Sequence, residues 1–370
     1  KRLSDATRLS TMGGDFVQAG MTISKVAADR STAADTLVRL WLMAVAALVL
    51  AMIVVGGATR LTDSGLSITE WQPLLGAIPP LSEAHWLEAF EKYKTIPEYH
   101  IVNKGMSLEA FKVIYWWEWS HRFLGRIIGL AFALPLAVFW WRGMLRPGRL
   151  PKYLGVLALG GLQGAIGWYM VSSGLVDRVD VSHYRLALHL SVAFLILGIL
   201  VWFAMELRSG IPAAGLDSRF TKAATLIVVL IYAQVALGAF VAGLKAGLAY
   251  NTWPLMNGQL IPDDLFALSP WLLNFVENAT TVQFNHRLVA YLVVVLGISH
   301  LVSVLRTSAD REIRASAGLL AAALAGQMLL GIVTLLNAVP IGLGVAHQGF
   351  AAVLLIIAVR HLWLVRAAAR

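Results

Sequence analysis

The chain has 370 residues, of which 58% are hydrophobic and 14% charged, and its mean hydropathy is +0.70. Soluble domains carry about 25% charged residues, so the composition excludes a soluble enzyme and marks an integral membrane protein. There is no cysteine, which excludes disulfides and iron–sulfur ligation. The net charge of +9 is spread over loops rather than gathered into a nucleic-acid footprint.

In chain order, residues 1–36 are polar, lack an apolar core and read as a cytoplasmic lead-in rather than a secretory signal. Eight apolar stretches follow, at 37–57, 121–141, 153–171, 186–205, 223–244, 286–305, 317–336 and 345–365. Each is near the twenty or so residues that a hydrocarbon core requires, and none has the alternation of barrel strands. The predicted fold is therefore all-α, with eight transmembrane helices. Basic residues crowd alternate connections: Arg142, Arg146, Arg149 and Lys152, then Arg208, Arg219 and Lys222, then Arg306, Arg311 and Arg314. The other connections are mixed or acidic, with Asp177, Asp180, Asp263, Asp264 and Glu277. By the positive-inside rule both termini are cytoplasmic, the bilayer is the partner, and nucleic acid is not. The first outer connection, 60–117, is patterned like a lid or an interfacial anchor, with amphipathic helices expected at 81–93 and 107–117, the second capped by Ser107.

The two halves repeat. Gly65-Leu66-Ser67, Trp71, Pro73, Gly76 and Pro79 find counterparts in Gly247-Leu248-Ala249, Trp253-Pro254, Gly258 and Pro262. Gln163 matches Gln327. An even number of spans per copy leaves the copies parallel, related by an axis along the membrane normal. The expected architecture is two pseudo-twofold-related four-helix bundles, 37–207 and 208–370, with small residues such as Gly160, Gly161 and Gly164 permitting a homo-oligomer.

Histidines repeat with the halves. Glu118-Trp119-Ser120-His121-Arg122 opens one apolar stretch and Gln283-Phe284-Asn285-His286-Arg287 opens another, with His189 and His347 each two stretches further on. Imidazole at the edge of a bilayer core is costly and points to function. Paired imidazoles without further carboxylates suit haem iron better than zinc or a di-iron centre. Each pair, His121 with His189 and His286 with His347, is thus expected to grip one haem toward the outer face. Arg122 and Arg287 are candidate propionate contacts. Glu118, where the second half has Gln283, makes the first bundle the reactive one, because only the carboxylate can exchange a proton. His85, His100 and His183 read as surface residues. His300 and His361 each follow a ligand by 14 residues (300 − 286, 361 − 347), about 21 Å along a helix. They read as interface anchors, with an inner haem as the alternative.

These residues resemble the haem A synthase family in its proteobacterial and mitochondrial branch. The likeness runs from about Leu40 onward through Gly56-Gly57-Ala58-Thr59-Arg60, Glu70-Trp71-Gln72-Pro73, Glu118-Trp119-Ser120-His121-Arg122, Tyr184-Arg185-Leu186-Ala187-Leu188-His189, Asn251-Thr252-Trp253-Pro254 and Asn285-His286-Arg287. The resemblance implies a bacterial inner-membrane oxidoreductase that converts a methyl group of haem O to formyl, giving haem A for cytochrome oxidase. It implies His121 and His189 on the substrate haem, Glu118 as catalytic carboxylate, and His286 and His347 on a resident haem B. Haem O handed over by haem O synthase and an unidentified electron donor are the implied partners. The cysteine pair of the Bacillus-type branch is missing here. The competing reading is a transmembrane b-type electron-transfer cytochrome without turnover.

Overall fold

A computed structural model of the chain describes residues 32–73, 75–210 and 215–369. The lead-in expected at 1–36 lies almost wholly outside the described residues. The elements are α1 (Thr32–Leu61), α2 (Glu83–Tyr93), α3 (Pro97–Ile101), α4 (Leu108–Trp141), α5 (Arg149–Val171), α6 (His183–Glu206), α7 (Ser218–Gly243), α8 (Asn274–Glu277), α9 (Ala279–Thr307), α10 (Arg311–Leu336) and α11 (Ile341–Ala368). Eight of them, α1, α4, α5, α6, α7, α9, α10 and α11, are long and apolar enough to cross a bilayer, as the hydropathy pattern predicts. Backbone groups in lipid must be satisfied within the segment, and a helix does this.

Side-chain caps set several boundaries. Ser82, Ser107, Asp217, Asn278 and Asp310 each accept a backbone N–H from the first turn of the helix that follows. The expected helices at 81–93 and 107–117 are both present, the second continuous with its span. His121 lies 13 residues into α4 (121 − 108) and His286 seven into α9 (286 − 279).

Helices α1, α6, α7 and α11 pack on one another in the middle of the molecule, with α4 and α5 on one flank and α9 and α10 on the other. Leu42, Val49, Ile53, Leu197, Leu200, Ile227, Ile231, Ala352 and Leu355 fill this centre. Lipid tails are as apolar as leucine, so close packing rather than escape from water holds these helices together. Within the first four spans α1 touches α4, α4 touches α5, α5 touches α6 and α6 touches α1. The same ring recurs as α7–α9–α10–α11. Helices α4 and α6 therefore stand diagonally, as do α9 and α11.

Both long connections lie at one end of the bundle. There Asp180 meets Lys245 at 2.9 Å and Arg60 at 3.6 Å, and Arg60 donates to the Ala242 carbonyl at 2.9 Å, tying the halves together. The first connection packs against the ends of α4 and α5: Leu66, Phe90, Tyr93, Ile96, Phe111, Ile114, Tyr115, Val171 and Val181 form one apolar cluster. At the other end Arg208 and Arg360 flank Glu312 at 2.7 and 2.6 Å. His85 and His100 are exposed as expected. His183 is not: it is 3% exposed, seated directly against Gly243 where α6 and α7 meet, with Glu277 3.5 Å from its Nε2.

Candidate functional site

Each of the four histidines is seated on a glycine of the neighbouring helix. A methyl group on Gly56 of α1 would come within 3.2 Å of His121 Nε2, and one on Gly167 of α5 within 2.9 Å of His189 Cε1. In the second half the corresponding approaches are Gly238 of α7 to His286 Cε1, 3.2 Å, and Gly331 of α10 to His347 Cε1, 2.8 Å. Any side chain at Gly167 or Gly331 would displace the ring. His121 and His189 lie within electrostatic reach of each other, and so do His286 and His347. All four residues are partly buried among the helices.

Glutamines one turn before three of these glycines hold the histidine backbones. Gln163 Nε2 donates to His189 O at 3.0 Å and lies 3.1 Å from its Nδ1. Gln327 Nε2 does the same to His347, at 2.9 and 3.3 Å. Gln234 Nε2 donates to His286 O at 2.8 Å. Sequence reasoning matched Gln163 with Gln327 but missed Gln234 and all four glycine seats. The signal was available as a Gln-x-x-x-Gly spacing that occurs three times within the apolar stretches, with Met52 replacing glutamine before Gly56. This arrangement suits a planar group gripped between two imidazoles: each seat is one that a Cβ would fill, and His286 Nδ1 is buried without a partner.

Above the first pair, Glu118 is 2% exposed and fully engaged. Its Oε1 accepts from Arg122 Nη2 at 2.5 Å and Nε at 3.0 Å. Its Oε2 accepts from Ser67 Oγ at 2.8 Å and the Ile68 N–H at 2.7 Å. Arg122 also donates to Ile68 O and Glu70 O, 2.7 and 2.9 Å away. Above the second pair, Gln283 donates to Ala246 O at 2.6 Å and accepts from Arg287 Nη2 at 2.8 Å. Arg287 Nη2 reaches Tyr250 O at 3.1 Å, while its Nε and Nη1 are buried without partners. Arg287 thus has free donors for an anion where Arg122 has spent most of its own. Beside the first crown a cavity of about 310 Å³ is lined by Glu70, His85, Lys92, Tyr115, Arg122 and Arg126, among others.

His300 and His361 form a separate buried pair. Their Nε2 atoms are 2.9 Å apart, and His361 Nδ1 lies 3.2 Å from Ser316 Oγ. Two imidazoles on one iron, each bonded at about 2 Å, would stand farther apart. In this structure they bond to each other instead, an arrangement that favours a structural pair over a metal site. The interface-anchor reading needs revision, because His361 is 0% exposed.

Residues 39–359 match the family model COX15-CtaA, described as Cytochrome oxidase assembly protein. A protein named Heme A synthase from Parvibaculum lavamentivorans is 53% identical over 321 residues, covering 87% of this chain and 92% of that protein. Another of that name from Azorhizobium caulinodans is 53% identical over 326 residues, 88% of this chain and 93% of its own. A third, from Methylobacterium radiotolerans, is 52% identical over 338 residues, 90% and 91% respectively.

Proposed function

Because the chain belongs to the COX15-CtaA family of cytochrome oxidase assembly proteins, we propose that it oxidises a methyl substituent of haem O to a formyl group, giving haem A. One observation carries the reading: four imidazoles, two in each half, are seated on glycines of adjacent helices, and a carboxylate stands over only one pair. The halves, 37–207 and 208–370, are read as two pseudo-twofold-related four-helix bundles. His121 and His189 flank the substrate haem, and His286 and His347 hold a resident haem B. The bound haems supply the iron redox chemistry.

The protein's own residues supply position and charge. Glu118 is the catalytic carboxylate, holding or passing a proton at Oε1 or Oε2 as its partners shift. Arg122 holds it in place through two hydrogen bonds to Oε1. Arg287, with free Nε and Nη1, is the better-equipped partner for a haem propionate; Arg122 has one N–H left over. The first connection buries Glu118, and burial strengthens the electrostatic contacts it makes. We place the protein in a bacterial inner membrane with both termini cytoplasmic and the histidine pairs toward the outer face. Haem O from haem O synthase, an electron donor and the bilayer are its partners. The open glycines Gly160, Gly161 and Gly164 of α5 offer a contact for self-association.

The test is to purify the protein from cells that make haem O, extract the porphyrins and identify them by mass, for the wild type and for Glu118→Gln. Haem B together with haem O-derived oxidation products in the wild type, and haem B with unconverted haem O in the variant, is the expected result. Unaltered conversion in Glu118→Gln removes the carboxylate's role, and a purified wild type without porphyrin removes the function.

A further inference from the structure

We propose that Arg126 is a positioning residue that locks the lid over the first histidine pair, an inference that rests on the first half being the reactive one. Glu118, Arg122 and Arg126 stand at i, i+4 and i+8 on α4, so they share one helix face. The segment 67–73 runs across that face, and the three side chains hold it like a row of clasps. Glu118 takes Ser67 Oγ and the Ile68 N–H. Arg122 takes the carbonyls of Ile68 and Glu70. Arg126 takes those of Gln72 and Pro73, both at 2.8 Å.

Arg126 closes the far end of this row. It is bonded neither to Glu118 nor to a histidine, so its effect passes through the segment it holds. Trp71, held between Arg122 and Arg126, lies stacked on Trp168 of α5, with ring centroids 5.9 Å apart and planes 15° from parallel. Trp168 is the neighbour of Gly167, the seat of His189. The clasped segment therefore bridges the helix that carries His121 to the helix that seats His189. Gly76 lets the chain fold back onto the guanidinium, since a methyl there would lie 3.0 Å from Arg126 Nη2. In the second half the position equivalent to Arg126 is Tyr291 (126 + 165, the offset of the His-Arg pairs, 286 − 121). Tyr291 offers a hydroxyl to Trp253 Nε1 at 2.8 Å and no hydrogen bond to a loop carbonyl. The double arginine clasp belongs to the first half alone, where water exclusion and a fixed Glu118 Oε2 matter for catalysis.

The test uses the full chain in lipid nanodiscs, with hydrogen exchange of residues 67–73 and steady-state haem O conversion as paired readouts. Arg126→Ala is expected to raise exchange there by about tenfold or more and to lower kcat by about 10- to 100-fold. KM for haem O moves less, and haem B content stays that of the wild type. Arg126→Lys, which keeps the charge and part of the bonding, restores both readouts partway. Unchanged exchange in Arg126→Ala overturns the clasp. Raised exchange with unchanged kcat overturns its role in positioning. Should Arg126→Ala fail to purify with haem B, Arg126→Lys decides by the same two measurements. A wild type that never converts haem O sinks the underlying reading, whereas the exchange data still judge the clasp by themselves.

Discussion

The two crowns at the loop end are built on one plan and finished differently. In each, a side chain three residues before a histidine reaches up to the loop, and an arginine one residue after that histidine ties helix to loop backbone. The first crown uses Glu118 with two arginines and a stacked Trp71–Trp168 pair. The second uses Gln283, one arginine and a Trp253–Tyr291 hydrogen bond. Replacing carboxylate by amide keeps the shape and removes the charge. On the proposed reading, the shared parts would hold a ligand, and the parts found only in the first crown are candidates for chemistry.

The largest expected effects test the shared plan. Gly331→Val would push a branched side chain into the His347 ring, and Gly167→Val would do the same to His189. Each variant should lose the haem of its own half and keep the other, read as haem per chain by absorbance. Loss of both haems from either variant would mean that the halves are not independent sites.

Next comes the difference itself. Glu118→Gln makes the first crown resemble the second and should lower haem O conversion by about 10²- to 10⁴-fold, the usual worth of a positioned acid or base. Gln283→Glu makes the second resemble the first. It should leave conversion unchanged, because charge there lies outside the reacting site. A Gln283→Glu protein with altered product ratios would show that the second crown also takes part.

The spans were legible because lipid imposes long apolar runs, and the seating of each candidate histidine on a neighbouring helix had a counterpart in the other half because the sequence prints these features twice. The glycine seats were harder to read: three carry a Gln-x-x-x-Gly spacing, but Gly56 has none and meets His121 across 65 residues (121 − 56). His183 misled for a related reason. A histidine at the start of α6 reads as surface until α7 is packed against it. The employment of Arg122 in loop bonding was equally hidden, because an arginine at a bilayer edge looks the same whether it faces headgroup, propionate or backbone carbonyl.

A smaller effect is expected away from both crowns. His361→Phe leaves His300 Nε2 buried without its partner, which costs about 1–3 kcal/mol. Thermal stability should fall accordingly while haem per chain stays at the wild-type value. A lost haem would instead tie this pair to cofactor binding.

The smallest prediction sharpens the contrast between the loops. Each contains a tyrosine hydroxyl donating to a carboxylate: Tyr93 to Glu98 at 3.2 Å in the first, Tyr250 to Asp264 at 3.1 Å in the second. Asp264 is exposed, whereas Glu98 is 4% exposed. Burial, opposed by the Tyr93 bond and reinforced by Asp63, Glu118 and Asp180, pushes the Glu98 carboxyl up from 4.5 to about 8. Below pH 4.5 the carboxyl is neutral whether the lid is closed or open, and the closed lid has its full stability. Between pH 4.5 and about 8 the open lid releases the proton and the closed lid keeps it, so closure weakens as pH rises through this window and levels off above it. Hydrogen exchange in residues 83–101, corrected for its intrinsic pH dependence, should therefore speed up from pH 5 to pH 8 in the wild type. Glu98→Gln, which cannot ionise, should exchange at one corrected rate across that range and leave the second loop's exchange untouched. A wild-type lid indifferent to pH would mean that Glu98 meets water even when closed, and the contrast with Asp264 would vanish.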